Sequence, residues 1–90
     1  MAEEINRQTE ETIEELMPKA EGGDADAQHH LFVLLFAKAK EKYDYEIFNE
    51  AERYLTLSAG HGFSEAMEDL SNQQLRRNSF ESRVKRHKST

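Results

Sequence analysis

The chain has 90 residues, 37% of them hydrophobic and none of them cysteine, which suffices for one small domain and excludes disulfides and cysteine-based metal sites. Charge is unevenly divided: residues 1–75 hold 6 Lys/Arg against 17 Asp/Glu, a net of −11, whereas residues 76–90 hold 6 against one Glu, a net of +5. The longest apolar run, at 31–37, is shorter than the ~20 residues of a membrane span, and the acidic start lacks the apolar segment of a secretory signal. We therefore expect a cytoplasmic protein that does not enter a membrane.

The first predicted helix covers about 3–17. Ile5, Ile13 and Leu16 recur on one side of it at helical spacing, so that side should be buried. Pro18 should kink or end the helix, because proline lacks the backbone N–H and clashes with the preceding turn. The other side suits solvent, since it carries four carboxylates: Glu10, Glu11, Glu14 and Glu15.

The EGGD segment at 21–24 should end one helix and begin the next. Glycine accepts the left-handed conformation that ends a helix, and Asp24 can accept hydrogen bonds from the first turn that follows. The second helix is predicted to run to about Lys42. Because residues 31–36 are apolar on every side of it, we expect this helix to be the central element of the core.

Two further helices follow. Asp44 is the predicted cap of the third helix, which should end at Gly60 and Gly62, and Ser64 is the predicted cap of the fourth. No segment alternates with a period of two, so no sheet is expected. The buried positions, at steps of three and four, are Ile47, Ala51, Tyr54, Leu55 and Ser58 in the third helix and Ala66, Met67, Leu70 and Leu75 in the fourth.

The pattern weakens after Arg77. Only Phe80 and Val84 are available for burial there, too little apolar surface to offset the entropy of ordering the segment. The sequence therefore predicts a helical domain over 1–78 and a flexible basic C-terminal tail over 79–90.

The junctions before the second and fourth helices resemble each other. AEGGDADAQHHL at 20–31 and AGHGFSEAMEDL at 59–70 lie 39 residues apart. A period near 40 with a helix pair as its unit is typical of an α-solenoid. The alternative is chance, since alanine and leucine are common and every helical hairpin needs a turn. The matched pairs are Ala20 with Ala59, Gly23 with Gly62, Ala27 with Ala66, and Leu31 with Leu70.

Residues 20–75 resemble the Sel1-like repeats, which are relatives of the tetratricopeptide repeats. AEGGDADAQHHLFVLLF is similar to the segment in which a Gly-Asp turn precedes Ala-x-Ala-Gln and a leucine, and the stretch from Asp44 to Leu70 is similar to the second half of a repeat. Two positions depart from the family pattern: Phe32 stands where a glycine usually follows the leucine, and the loop at 37–45 lacks glycine.

The resemblance implies a fold and a role. The expected fold is all-α, with two antiparallel helix pairs in a short α-solenoid, and the expected role is a protein-binding scaffold without catalysis. The residues that carry the repeat are Gly23, Ala27, Leu31, Ala51, Tyr54, Ala59, Gly62, Ala66 and Leu70.

The residues themselves give little indication of chemistry. The four histidines include no His-x-x-x-His pair, and His29 and His30 point in different directions on a helix. The glutamates of the first helix face outward without a nucleophile, and GGD lacks the Lys and Ser/Thr of a nucleotide-binding loop. We expect no catalysis, cofactor or metal.

Three functions remain open. The first is a small adaptor or inhibitor that binds another protein, and the second is an immunity-type or decoy protein whose acidic surface neutralises a basic effector. The third is a nucleic-acid-associated factor that uses the basic tail, although a solubilising tail, or one folded back on the acidic body, is the favoured interpretation. The candidate phosphate contacts are Arg83, Lys85, Arg86 and Lys88.

The last expectation concerns the oligomeric state of the chain. So few repeats cannot cover all their apolar faces, and an exposed patch on the second and third helices would favour a homodimer or a tight complex. The candidate interface residues are Phe32, Phe36, Tyr45 and Phe48.

Overall fold

The computed structural model describes the backbone of residues 2–89 and the side chains of residues 9–88. Over 2–89 the chain is helical apart from short turns and contains no strand, which confirms the all-α prediction. None of the described helices is long and apolar enough to cross a membrane. This part of the chain has five helices instead of the four predicted: α1 (Ala2–Glu21), α2 (Ala25–Lys42), α3 (Tyr45–Gly60), α4 (Ser64–Ser71) and α5 (Gln73–Ser89).

α1 continues through Pro18, so the expectation that it ends there is wrong. Proline removes only the hydrogen bond to the carbonyl of Glu14, and both residues lie on the exposed side, where water can take that bond. The helix ends about one turn later, at Glu21, and Gly23 follows it with a φ of +96°, the left-handed conformation that glycine tolerates. The Asp24 amide then donates to the Lys19 carbonyl, 3.1 Å away.

The two predicted aspartate caps are both present. Asp24 accepts from the amide of Ala27 at 3.1 Å and begins α2, and Asp44 accepts from the amide of Glu46 at 2.8 Å and begins α3. Between them α2 ends at Tyr43, a non-glycine residue in the left-handed conformation with φ +55°. The turn from α2 to α3 thus needs two residues, and the two helices pack along each other as an antiparallel hairpin.

The predicted cap of α4 is wrong. Ser64 is the first helical residue, and the cap position belongs to Phe63, whose side chain makes no capping bond. Phe63 instead packs against the core with its ring 5.3 Å from that of His29. At this helix start, packing of the Phe63 ring against the core replaces a side-chain hydrogen bond to a first-turn amide.

The two glycines that end α3 should respond oppositely to alanine. Gly62 has φ +85°, so Gly62→Ala should lower the free energy of unfolding by about 1–2 kcal/mol. Gly60 ends the helix itself, and an added Cβ meets nothing within 4 Å, so Gly60→Ala should raise stability by about 0.5–1 kcal/mol. Urea denaturation measures both. A shift of equal sign in the two variants would contradict this account.

The main core lies where α2 meets α1 and α3. Leu31 and Leu55 are fully buried there, and the Tyr54 hydroxyl donates to Glu21 Oε1 at 3.0 Å, which ties α3 to the end of α1. Burial raises the pKa of Tyr54, and the Glu21 carboxylate raises it further. α2 is central as predicted but not covered on every side, because Val33 is 46% exposed.

α5 differs most from the sequence prediction of a flexible tail. It is a helix through Ser89, and Phe80 and Val84 are 1% and 2% exposed in a second cluster with Ala39 and Phe48. The prediction of a flexible tail considered only the apolar residues of the tail itself. Phe80 and Val84 instead pack on apolar residues of the α2–α3 hairpin, 30–45 positions earlier in the chain.

α4 packs against α3, and the solenoid arrangement of two antiparallel pairs stays a prediction from the sequence. Only Asn72 separates α4 from α5, the two helices share few contacts, and α5 packs on the hairpin instead of turning back on α4. The Arg83 Nε donates to the carbonyl of Lys40 at 3.1 Å, at the far end of α2. α5 therefore covers the end of the hairpin where α2 turns into α3.

Candidate functional site

The predicted repeat residues lie mostly in the core. Gly23 and Gly62 share the left-handed conformation at equivalent helix ends, 39 residues apart. Leu70 and Ala59 pack at the core's edge, partly buried. The fully or nearly buried members are Ala27, Leu31, Ala51, Tyr54 and Ala66. The structure thus places these residues in the scaffold and not on a binding surface.

The predicted interface patch is largely covered. Phe48 and Phe32 are buried, Phe36 is half-buried, and Tyr45 is 38% exposed. The Phe80 ring stacks on that of Phe48 with centroids 4.4 Å apart and meets Tyr45 edge-on at 5.1 Å. The expectation of an exposed aromatic patch is therefore wrong, and the homodimer stays a prediction without that support.

A buried ion pair holds α5 in place. Arg76 donates to Glu52 through Nε at 2.9 Å and through Nη2 at 2.8 Å, and its Nη1 donates to the Asp69 carbonyl at 2.8 Å. The guanidinium also lies over the ring of Phe32, 4.8 Å from its centroid. The two charged side chains are only 10% and 7% exposed. Sequence reasoning missed this pair because 24 residues separate its members.

A second polar contact joins α2 to α4. His29 Nε2 lies 2.6 Å from Asp69 Oδ2, and the imidazole contacts the rings of Phe32 and Phe63, with centroids 5.8 Å and 5.3 Å away. His87 is elsewhere, stacked on Tyr43 with ring centroids 3.7 Å apart. Among the described residues no three His, Cys, Asp or Glu side chains are placed to hold a metal ion.

The basic segment uses its arginines largely within the chain. Besides Arg76, Arg77 lies over the Phe48 ring at 5.1 Å and donates to Asn49 at 3.4 Å, and Arg83 bonds to the Lys40 carbonyl. All four predicted phosphate contacts are exposed along α5: Arg83, Lys85, Arg86 and Lys88. The segment has thus folded back on the acidic body.

A cleft of about 130 Å³ opens between the end of α1 and the start of α2. We call it the acidic cleft, because two of the side chains around it are the exposed carboxylates of Asp24 and Asp26. Its residues are Leu16, Lys19, Asp24, Asp26, Ala27 and His30. No signal in the sequence indicated it, since it arises only where two helix ends meet.

The acidic cleft belongs to a larger surface, which we call the α1–α2 face. Residues three or four apart lie on one side of a helix, so the rows of both helices that border the cleft run on beyond it. All members of the face are exposed, and Val33 is its apolar centre. The members are Glu11, Glu15 and Lys19 on α1 and Asp26, His30, Val33 and Ala37 on α2.

Close to the cleft lies a buried polar group without a partner. Gln28 is 2% exposed and donates through Nε2 to the Ala20 carbonyl at 3.0 Å, while its Oε1 accepts no hydrogen bond from the described residues. The amide thereby joins α2 to the end of α1. This contact fixes the two helix ends that form the cleft.

Comparison with known proteins adds no relationship to this geometry. No family model matches the chain, no curated protein is similar to it, and no solved structure resembles it. The Sel1-like resemblance therefore stays a prediction from the sequence, and function has to be argued from the surface itself.

Proposed function

We propose that this protein is a non-catalytic protein-binding module, an adaptor or an inhibitor, and that its partner docks on the α1–α2 face. The observation that carries the proposal is the acidic cleft within that face, beside exposed Val33. An apolar centre with a charged rim is the usual composition of a protein–protein interface.

The sign of the charge suggests the kind of partner. Glu11, Glu15 and Asp26 are all exposed on this face, and the body of the chain carries most of the negative charge. Such a surface attracts a basic protein and repels nucleic acid. The immunity-type function, in which an acidic surface neutralises a basic effector, is one form of this proposal.

The repeated helix ends support the scaffold part of the proposal. Gly23 and Gly62 adopt the same conformation at junctions that are similar in sequence, as a Sel1-like helical scaffold would require. A nucleic-acid-associated role has less support, because Arg76, Arg77 and Arg83 bind within the chain.

A charge-reversal experiment tests the proposal. The tagged chain captures its partner from an extract of the native host, and the same capture is repeated with Glu11→Lys/Glu15→Lys and with the control Glu65→Lys/Glu68→Lys. The control makes the same change in net charge at exposed positions of α4. Circular dichroism confirms that all three are equally helical.

We expect the wild-type chain and the control to retain one protein that the α1–α2 variant loses. Calorimetry with the purified partner should then show at least about a tenfold loss of affinity, since reversing two rim charges replaces attraction with repulsion. Equal capture by the α1–α2 variant would contradict the proposal. A nuclease-sensitive complex that depends on Arg86 and Lys88 would instead favour the nucleic-acid role.

A further inference from the structure

We propose that the acidic cleft receives a single lysine or arginine side chain that protrudes from the partner protein. This inference rests on the proposed function and specifies how the same face recognises its ligand. The volume of about 130 Å³ is below the ~300–1,000 Å³ of a pocket for a drug-sized ligand. That space suits one side chain better than a peptide segment.

The residues around the cleft match the two parts of such a side chain. Leu16 and Ala27 supply apolar surface for a methylene stem, which lysine and arginine bury while their charged end stays in water. Asp24 and Asp26 supply exposed carboxylates for the charged end. A ligand with both an apolar stem and a positive end satisfies both sets of residues.

The charges around the cleft add up in favour of a cation. The C-terminus of α1 and the N-terminus of α2 meet there, and because their dipoles have opposite signs they largely cancel. Asp24 and Asp26 line the cleft with one lysine, Lys19, and Glu15 lies one turn before that lysine on the same side of α1. The carboxylates therefore make the charge around the cleft negative.

The cleft lies at one end of the α1–α2 face, next to its apolar centre. Val33 lies one helical turn beyond His30, so apolar contact with the partner can begin where the cleft ends. A basic side chain in the cleft would also fix the register of the partner on the face.

The test uses small probes on the intact chain. Nα-Acetyl-lysine N-methylamide, which keeps its ε-ammonium, and its uncharged counterpart Nα-acetyl-norleucine N-methylamide are titrated into ¹⁵N-labelled protein. The chemical shifts of the backbone amides are followed by NMR. We expect the lysine probe to shift the amides of Ala27 and His30 in a saturable manner, whereas norleucine shifts them weakly and the amide of Met67 moves with neither.

Two substitutions should change the affinity for the lysine probe in opposite directions. Asp26→Asn should weaken it and Lys19→Met should strengthen it, each by about two- to fivefold, the range of a partly exposed ion pair. Glu65→Gln is the control of equal charge change and should have no effect. Asp24 is left unchanged because it caps α2.

Equal shifts with the lysine and norleucine probes would overturn the inference. So would an affinity for the lysine probe that is the same in Asp26→Asn, Lys19→Met and the wild type. The two proposals can fail separately. If the captured partner depends on Glu11 and Glu15 but binds Asp26→Asn and Lys19→Met like the wild type, the function stands and the basic anchor is wrong. If the lysine probe binds as described while no partner depends on the face, the cleft binds a basic side chain and the proposed function is wrong.

Discussion

Replacing Arg76 with alanine is expected to lower the free energy of unfolding by about 3–5 kcal/mol. The Glu52 carboxylate that it leaves behind is 7% exposed and would lose both of its guanidinium hydrogen bonds. A buried charge without a partner costs far more than the net contribution of the intact pair. Since small domains have only about 5–15 kcal/mol of stability, this change should bring the protein close to unfolding.

Urea denaturation followed by circular dichroism measures this effect, and a double variant serves as its control. Glu52→Gln/Arg76→Met removes both charges at similar volume and should recover much of the loss, because no unpaired charge remains buried. A loss below about 1 kcal/mol in Arg76→Ala, the range of an exposed ion pair, would mean that solvent reaches Glu52.

Phe80→Ala is expected to cost about 3–5 kcal/mol as well, for a different reason. Phe80 is one of the largest fully buried side chains, and its removal leaves a cavity against Phe48 and Tyr45. We expect α5 to detach before the rest of the chain unfolds, because little other apolar surface holds it. Circular dichroism should show reduced helicity at low urea concentration, and the fluorescence of a dye that binds exposed apolar surface should rise.

The matched control for Phe80→Ala is Leu75→Ala on the same helix. Leu75 is 68% exposed, so this variant should stay within about 0.5 kcal/mol of the wild type. Equal losses in the two variants would show that α5 is stabilised by its helical propensity and not by docking on the hairpin.

The buried position of Phe80 also affects how the basic segment can be studied. A deletion of residues 79–90 would remove Phe80 and Val84 together with the exposed cations, so a loss of function would report on folding. Arg86→Ser/Lys88→Ser separates the two effects, because both side chains are exposed.

Local features were predictable from the sequence. The aspartate caps and the left-handed glycines depend on residues within three or four positions, and Asp24, Asp44, Gly23 and Gly62 behave as expected. The all-helical class follows from the spacing of apolar residues. Part of the candidate site was also visible, since the exposed side of α1 with Glu11 was identified from its pattern.

Long-range features were not predictable. The Glu52–Arg76 pair and the Phe48–Phe80 stack join residues 24 and 32 positions apart, and nothing local marks them as partners. The tail looked too polar to fold because its apolar contacts come from elsewhere in the chain. Ser64 shows the same limit at a helix end, where Phe63 takes the cap position to reach the core.

The docking of α5 on the hairpin also has a consequence for synthesis of the chain. Phe48 is made 36 residues before Val84, and at about 5–20 residues per second this interval is roughly 2–7 s. During that time Phe48, Tyr45 and Ala39 have no α5 to cover them. The cluster around Phe48 is therefore among the last parts of the fold to form, because α5 is made last of the five helices.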